Sequence, residues 1–231
     1  MTRLHLVALG LALSAHVAGC ASTPTRGGEQ DPALQRLVLL GPGSGMAAWT
    51  HADGRDGTWA VDEAGVMTVN GTGNLVSRAT FGDHRIELEF WCPAVDRSLG
   101  IDRGNSGVYV QGVYEVQVLD SYEMPIQDNS CGAIYGISPP AVNASAPPET
   151  WQRYRIDLRA ARLGPDGALI EPARMSVWHN GILVQDDVEV PRVTPSGLGD
   201  AVVATGPLML QDYGEPVRFR DVVVTPLEAR E

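Results

Sequence analysis

Gly104-Asn105-Ser106-Gly107-Val108-Tyr109-Val110-Gln111-Gly112-Val113-Tyr114-Glu115-Val116-Gln117-Val118-Leu119-Asp120 alternates apolar and polar residues twice over. Val108 and Val110 alternate with Tyr109 and Gln111. Tyr114, Val116 and Val118 alternate with Glu115 and Gln117. Successive side chains of a strand point to opposite faces, so strict alternation marks a strand with one buried face. If Tyr114, Val116 and Val118 fill a core, Glu115 and Gln117 stand together on the outer face, roughly 6.6 Å apart at about 3.3 Å per residue.

The same period runs outward in both directions. Ile86, Leu88 and Phe90 alternate with Glu87, Glu89 and Trp91, and Tyr154, Ile156 and Leu158 with Arg153, Arg155 and Asp157. Met175, Val177 and His179 lead straight into Asn180-Gly181, a two-residue hairpin signal, and Ile182-Leu183-Val184 returns. Leu208 to Gln211 and Val217 to Val224 read as late strands around Asp212-Tyr213-Gly214-Glu215-Pro216. No segment sustains an amphipathic helical pattern. Many short strands separated by Gly and Pro predict an all-β domain, a sandwich or a jelly roll. Ser121 to Pro148 breaks the rhythm with turn residues. A loop of that length is usually functional or disordered, and Tyr122, Tyr135 and Ile137 suggest that it packs down to form part of a site.

The N-terminus reads as an export signal over residues 1–19. Arg3 precedes an apolar stretch from Leu4 to Val17, too short for the roughly 20 residues of a membrane span. Val17-Ala18-Gly19-Cys20 resembles the bacterial lipobox, in which the cysteine is lipidated after cleavage. The alternative is an ordinary signal peptide with a chance cysteine. Ala21, rather than Asp, is what outer-membrane sorting expects in a Gram-negative host. Residues 20–33 are rich in Ser, Thr, Pro and Gly and read as a tether, which leaves one domain over 34–229. These features predict a lipid-anchored envelope protein, with outer-membrane lipid as a partner through Cys20.

A formal charge of −11 argues against nucleic acid, whose binding rests on Lys and Arg neutralising phosphates, and against polyanionic glycans. Neutral sugars stay open. Cys92 and Cys131 are either a disulfide or two buried free thiols. No metal-ligand spacing is present.

Ordinary glycoside hydrolysis needs two carboxylates at controlled separation. Jelly-roll β-glucanases place them on one strand as Glu-x-Asp-x-Glu. Here Glu115-Val116-Gln117 puts an amide in the second place, and Asp120 has the opposite parity.

The run from Gly104 to Asp120 closely resembles the 3-keto-disaccharide hydrolase domain family. So do Cys131-Gly132-Ala133-Ile134-Tyr135-Gly136, Pro139-Pro140, Trp151-Gln152, His179-Asn180-Gly181, Leu210-Gln211-Asp212 and Val217-Arg218-Phe219-Arg220. These blocks span roughly Trp49 to Leu227. The resemblance implies a concanavalin A-like jelly-roll β-sandwich, and an activity on 3-keto-glycosides as a 1,2-lyase, as a hydratase of the 3-keto-glucal product, or as both. Two positions depart from the pattern: Tyr213 stands where His is frequent, and Trp91 where a basic residue is common.

A ketone at C3 acidifies the C2 hydrogen, so one base can start an elimination that breaks the C1–oxygen bond. Water then adds back. The expected base or acid is Glu115, with Glu89 as a second carboxylate if its strand neighbours that of Glu115. Tyr109 and Tyr122 are candidate proton donors or stacking platforms. Arg103, Asn105, Gln117, Asp120, Gln211 and Tyr213 are expected to hold the sugar, although Asp120 equally suits a strand-end cap and His179 a structural role. No cofactor is assigned, and a divalent metal at the polar face stays open without named ligands. The ketone implies a separate glycoside 3-dehydrogenase upstream. The rival functions are a non-catalytic carbohydrate-binding module and a structural envelope protein on the same scaffold.

Overall fold

The computed structural model describes residues 35–96 and 103–228. The signal, Cys20 and the tether lie outside them. Among the described residues, fifteen strands occur in chain order: β1 Leu37–Val38, β2 Trp49–His51, β3 Ala60–Val61, β4 Met67–Thr68, β5 Leu75–Phe81, β6 His84–Trp91, β7 Ser106–Val110, β8 Tyr114–Val118, β9 Gln152–Arg159, β10 Arg162–Leu163, β11 Leu169–Glu171, β12 Ala173–His179, β13 Ile182–Val190, β14 Gly206–Leu210 and β15 Arg218–Pro226. The described residues contain no helix.

Two antiparallel sheets form a concanavalin A-like jelly-roll sandwich. The larger runs β13-β12-β9-β6-β15-β4-β3, with β1 also on β15; the smaller runs β2-β5-β14-β7-β8. Their facing residues make one core. Ile86, Leu88, Phe90, Tyr154, Ile156 and Val177 come from the large sheet, and Leu75, Val108, Val116, Val118, Leu208 and Leu210 from the small one. The alternation read from the sequence is therefore real on β6, β9 and β12, whose burial alternates residue by residue. Asn180 and Gly181 turn β12 into β13 with φ of 51° and 82°, the left-handed pair that a tight hairpin requires. Asp212 to Pro216 carries the chain from the small sheet to the large one, because β14 and β15 lie in different sheets.

On β7 and β8 the alternation fails: every residue of both strands is buried. Two segments cover what would be their outer face and free edge. Residues 132–135 run along β8, with backbone bonds from Gln117 to Ala133 O (3.0 Å), Gly132 to Gln117 O (3.0 Å) and Tyr135 to Glu115 O (3.1 Å). That pairing protects an edge which would otherwise be open. From the other side, Thr194 binds Val113 O through its amide (2.9 Å) and its hydroxyl (3.1 Å), and Glu115 N–H donates to Thr194 Oγ1 at 2.8 Å. The loop from Ser121 to Pro148 is thus packed down, as expected. Asn143 Nδ2 donates to Ser121 O and Met124 O, and Gln185 Nε2 to Gly132 O and Ser138 O.

Cys92 and Cys131 are free and buried. The Cys131 sulfur lies 3.0 Å from the Tyr154 hydroxyl. His179 is wholly buried, 2.8 Å from Gln152 Oε1, tilted against the Phe90 ring and edge-on to Tyr154. Burial pushes its imidazole down to about 4, so it stays neutral and serves packing.

Candidate functional site

The outer side of β7 and β8 holds a cavity of about 150 Å³. Asn105 and Tyr109 enter it from the β7 segment, Glu115 and Gln117 from β8, and Gln211 from the end of β14. Asn129 and Tyr135 descend from the long loop, Pro195 and Ser196 from the strap over the β7–β8 turn, and Tyr213 from the inter-sheet turn.

Register explains how Glu115 fits. Tyr109 pairs with Glu115 and Gly107 with Gln117, so Gly107 lies diagonal to Glu115. A Cβ on Gly107 would stand 2.4 Å from Glu115 Oε1 and 2.9 Å from the Tyr109 ring. The missing side chain is the space the carboxyl occupies. Ser196 holds the strap in a tight bend, with φ of 63°, a conformation costing a non-glycine residue on the order of 1 kcal/mol or more and concentrated at functional sites.

Glu115 is only 3% exposed, and among the described residues no Arg, Lys or His lines the cavity. Burial pushes its carboxyl up to about 7, against the Tyr109 hydroxyl, which donates to Oε2 at 2.9 Å and favours the ionised form. Around it the amides are half-used. Gln117 Nε2 donates to Asn105 Oδ1 at 3.0 Å, and Gln211 Nε2 to the Tyr109 hydroxyl at 3.2 Å. The Oε1 atoms of Gln117 and Gln211 are buried with no partner. Buried polar atoms are rarely left so. Two amide oxygens and a carboxyl at one cavity call for hydrogen-bond donors, and a lining without cations among the described residues disfavours an anionic guest.

Six of the expected site residues therefore converge: Glu115, Tyr109, Asn105, Gln117, Gln211 and Tyr213. Four do not. Glu89 requires correction, since β6 lies between β9 and β15 in the other sheet. Its carboxylate is held by Arg220 Nε and Nη2 at 2.7 and 2.6 Å. Tyr122 is half-buried beyond β8, does not line the cavity, and donates its backbone N–H to Asp120 Oδ1 at 3.2 Å. Arg103 and Asp120 are buried but outside the lining, tied by an Asp120 N–H bond to Arg103 O of 2.8 Å. Asp120 thus takes the strand-end capping position. Tyr109 has no exposed ring surface, so it is no stacking platform. Trp91 stands on the far sheet under the Arg218 guanidinium, 4.3 Å away, and its departure from the family pattern does not touch the cavity.

Sequence reasoning missed Asn129, Pro195 and Ser196, and read Tyr135 only as packing. Thr194-Pro195-Ser196-Gly197 carries the same turn chemistry as the long loop and was the available signal. Among the described residues, no group of three or more His, Cys, Asp or Glu side chains could hold a metal ion.

The comparisons with known proteins agree with this fold. The model of the 3-keto-alpha-glucoside-1,2-lyase-like domain matches residues 37–225. A candidate glycosyl hydrolase from Parabacteroides distasonis is 31% identical, with a TM-score of 0.73 over 83% of this chain and 84% of that one. A second candidate glycosyl hydrolase from the same organism superposes with a TM-score of 0.60 at 19% identity, over 84% of this chain and 94% of that one, and shares the fold. No curated protein matches. With the matched span covering nearly all of the sandwich, the chain belongs to the 3-keto-alpha-glucoside-1,2-lyase-like domain family.

Proposed function

We propose that the protein cleaves 3-keto-glycosides by proton abstraction at C2 and elimination, followed by addition of water. The observation carrying this reading is that, among the described residues, Glu115 is the single carboxyl lining the cavity, and that burial has brought it to about 7. Standard glycoside hydrolysis needs two carboxyl groups roughly 5–9.5 Å apart. An elimination needs one group that can be base and then acid, and a group poised near working pH does both well.

Glu115 takes the C2 hydrogen as a proton, and the electrons of that bond pass into the enediolate of the C3 ketone. These electrons then form C1=C2, the C1–oxygen bond breaks, and the leaving oxygen receives the proton from Glu115. Addition of water across the double bond, with its proton returned to C2, makes the net reaction a hydrolysis. The enolate oxygen needs donors that are in place beforehand. Tyr135, Ser196, Asn105 and Asn129 supply the hydroxyl and amide N–H groups of the cavity wall. The unpartnered oxygens of Gln117 and Gln211 suit sugar hydroxyls. At about 150 Å³, below the roughly 300–1,000 Å³ of sites for drug-sized ligands, the cavity suits one neutral ring. A separate dehydrogenase must supply the ketone, and we place the reaction at the envelope on the strength of the N-terminal pattern.

The test is incubation with 3-keto-nitrophenyl glucoside beside the unoxidised glucoside. Release of nitrophenol from the keto compound alone is expected. Saturable binding without release from either would make the chain a carbohydrate-binding module instead.

A further inference from the structure

Tyr109 owns one hydroxyl proton and stands between two acceptors. Glu115 Oε2 and Pro195 O each lie 2.9 Å from its oxygen. Gln211 Nε2 donates to the same oxygen from 3.2 Å. A phenol donates once and can accept as well, so only one of the two acceptors is served at a time. The choice depends on Glu115. An ionised carboxylate is the stronger acceptor, because charge-assisted bonds are roughly twice as strong as neutral ones. A protonated carboxyl needs to donate its own proton, and the Tyr109 oxygen is its partner at 2.9 Å. Pro195 O then accepts the hydrogen bond from the phenol.

Nothing else has to move. The ring is fully buried. The Pro195 carbonyl is fixed by Thr194 bonded to Val113 O at 2.9 Å and Leu198 bonded to Gly112 O at 2.8 Å. We propose that Tyr109 is a positioning residue whose hydroxyl turns between Glu115 and the Pro195 carbonyl as Glu115 gains and loses a proton, holding the carboxyl in one place in both states. The phenol keeps its own proton throughout. Burial and the adjacent Glu115 carboxylate push it far above the ordinary tyrosine range, which makes it a poor donor to substrate. Among the described residues, the other titratable groups facing Glu115 are Tyr135 from the loop and Tyr213 from the inter-sheet turn; the strap and β14 contribute none, and no cation lines the cavity.

This role rests on Glu115 as the proton-transfer group, but its first test does not require turnover. In the full-length protein with ¹³C-labelled glutamate carboxyls, the Glu115 signal is titrated in wild type and in Tyr109→Phe. The variant loses a donor to the ionised form, so its midpoint should move up by about one pH unit. The acid limb of kcat/KM on the keto-glucoside should move with it, with KM little changed. An unmoved or lowered midpoint overturns the role. Wild type gives a second measurement that no folding defect can obscure: the Tyr109 hydroxyl proton resonance should titrate with the Glu115 midpoint, and one that stays constant through it also overturns the role. Failure of wild type to turn over keto-glucosides would count against the proposed reaction and leave both titrations to judge Tyr109.

Discussion

Two strands of this sandwich carry nearly the same message and meet opposite fates. On β6, Glu87 and Glu89 alternate with Ile86 and Leu88; on β8, Glu115 and Gln117 alternate with Tyr114, Val116 and Val118. The β6 carboxylates look outward from the large sheet and meet arginines. Arg153 reaches Glu87 at 2.6 Å and Arg220 reaches Glu89 at 2.6 Å. The β8 carboxyl is roofed by two loops, finds no cation among the described residues, and is left with a tyrosine hydroxyl and a glycine-sized gap. Strand periodicity puts an acid on a face. What covers the face and what cation neighbours it decide whether the acid is solvated ornament, ion pair or reactive group.

The largest expected difference is catalytic. Glu115→Gln should lower turnover of a 3-keto-glucoside by roughly 10²–10⁴-fold, the usual worth of a positioned acid or base, with KM changed little. Glu89→Gln should leave turnover within about twofold of wild type. Steady-state kinetics of the pair checks the contrast, and a Glu89 variant as impaired as the Glu115 variant would break it.

The second difference is in stability against pH. The folded value of Glu115, about 7, lies above its ordinary 4.5. Between these values the folded chain keeps a proton that the unfolded chain has released. The contribution is therefore fully present below pH 4.5 and lost as pH rises through 7, by roughly 3 kcal/mol. Glu115→Gln removes the slope, so it should raise Tm relative to wild type at pH 8 and not at pH 4.5. His179 runs the other way. Its folded value, about 4, lies below its ordinary 6.5, so its contribution is present above pH 6.5 and lost as pH falls through 4. Melting curves across pH 4–9 for wild type and Glu115→Gln separate the two slopes.

Gly107 sharpens the contrast from the backbone side. In Gly107→Ala the new Cβ would press on Glu115 Oε1 at 2.4 Å. The carboxyl must shift, and a displacement near 1 Å costs about 100-fold in rate. Overpacking adds about 1–3 kcal/mol of destabilisation. Kinetics and melting together check this, and an active, stable variant would show that the carboxyl position is not critical.

The sandwich was legible because Ile86-Leu88-Phe90, Tyr154-Ile156-Leu158 and Asn180-Gly181 act through local rules of period and turn geometry. Glu115, Gln117, Asn105 and Gln211 were legible as candidates through the strands that bear them and the family blocks around them. The placement of Glu89 was not, because which strands neighbour one another depends on long-range pairing that no local pattern encodes. Pro195 and Ser196 escaped for the same reason: Pro195 O meets the Tyr109 hydroxyl across 86 positions of chain. The hydrogen bonds that hold them there, from Thr194 to Val113 O and Leu198 to Gly112 O, are invisible until the strap is folded over the hairpin.

The smallest expected effect lies on the β6 side. Arg220 pairs with Glu89 and its guanidinium lies 4.1 Å from the centre of the Trp151 ring. Both partners of the ion pair are about a third exposed, so solvent screens it, and exposed pairs are worth about 0.2–1 kcal/mol. The stacking on Trp151 adds about 0.5–1 kcal/mol at such a site. Arg220→Met keeps the aliphatic length and loses both, so it should destabilise by about 1 kcal/mol in denaturant titration while kcat and KM stay at wild-type values. High salt should narrow the gap, because screening removes the ion-pair part from wild type as well. A large loss of activity in this variant would mean that the two faces communicate through the core, and that the outer acids of β6 matter to the site on β8 after all.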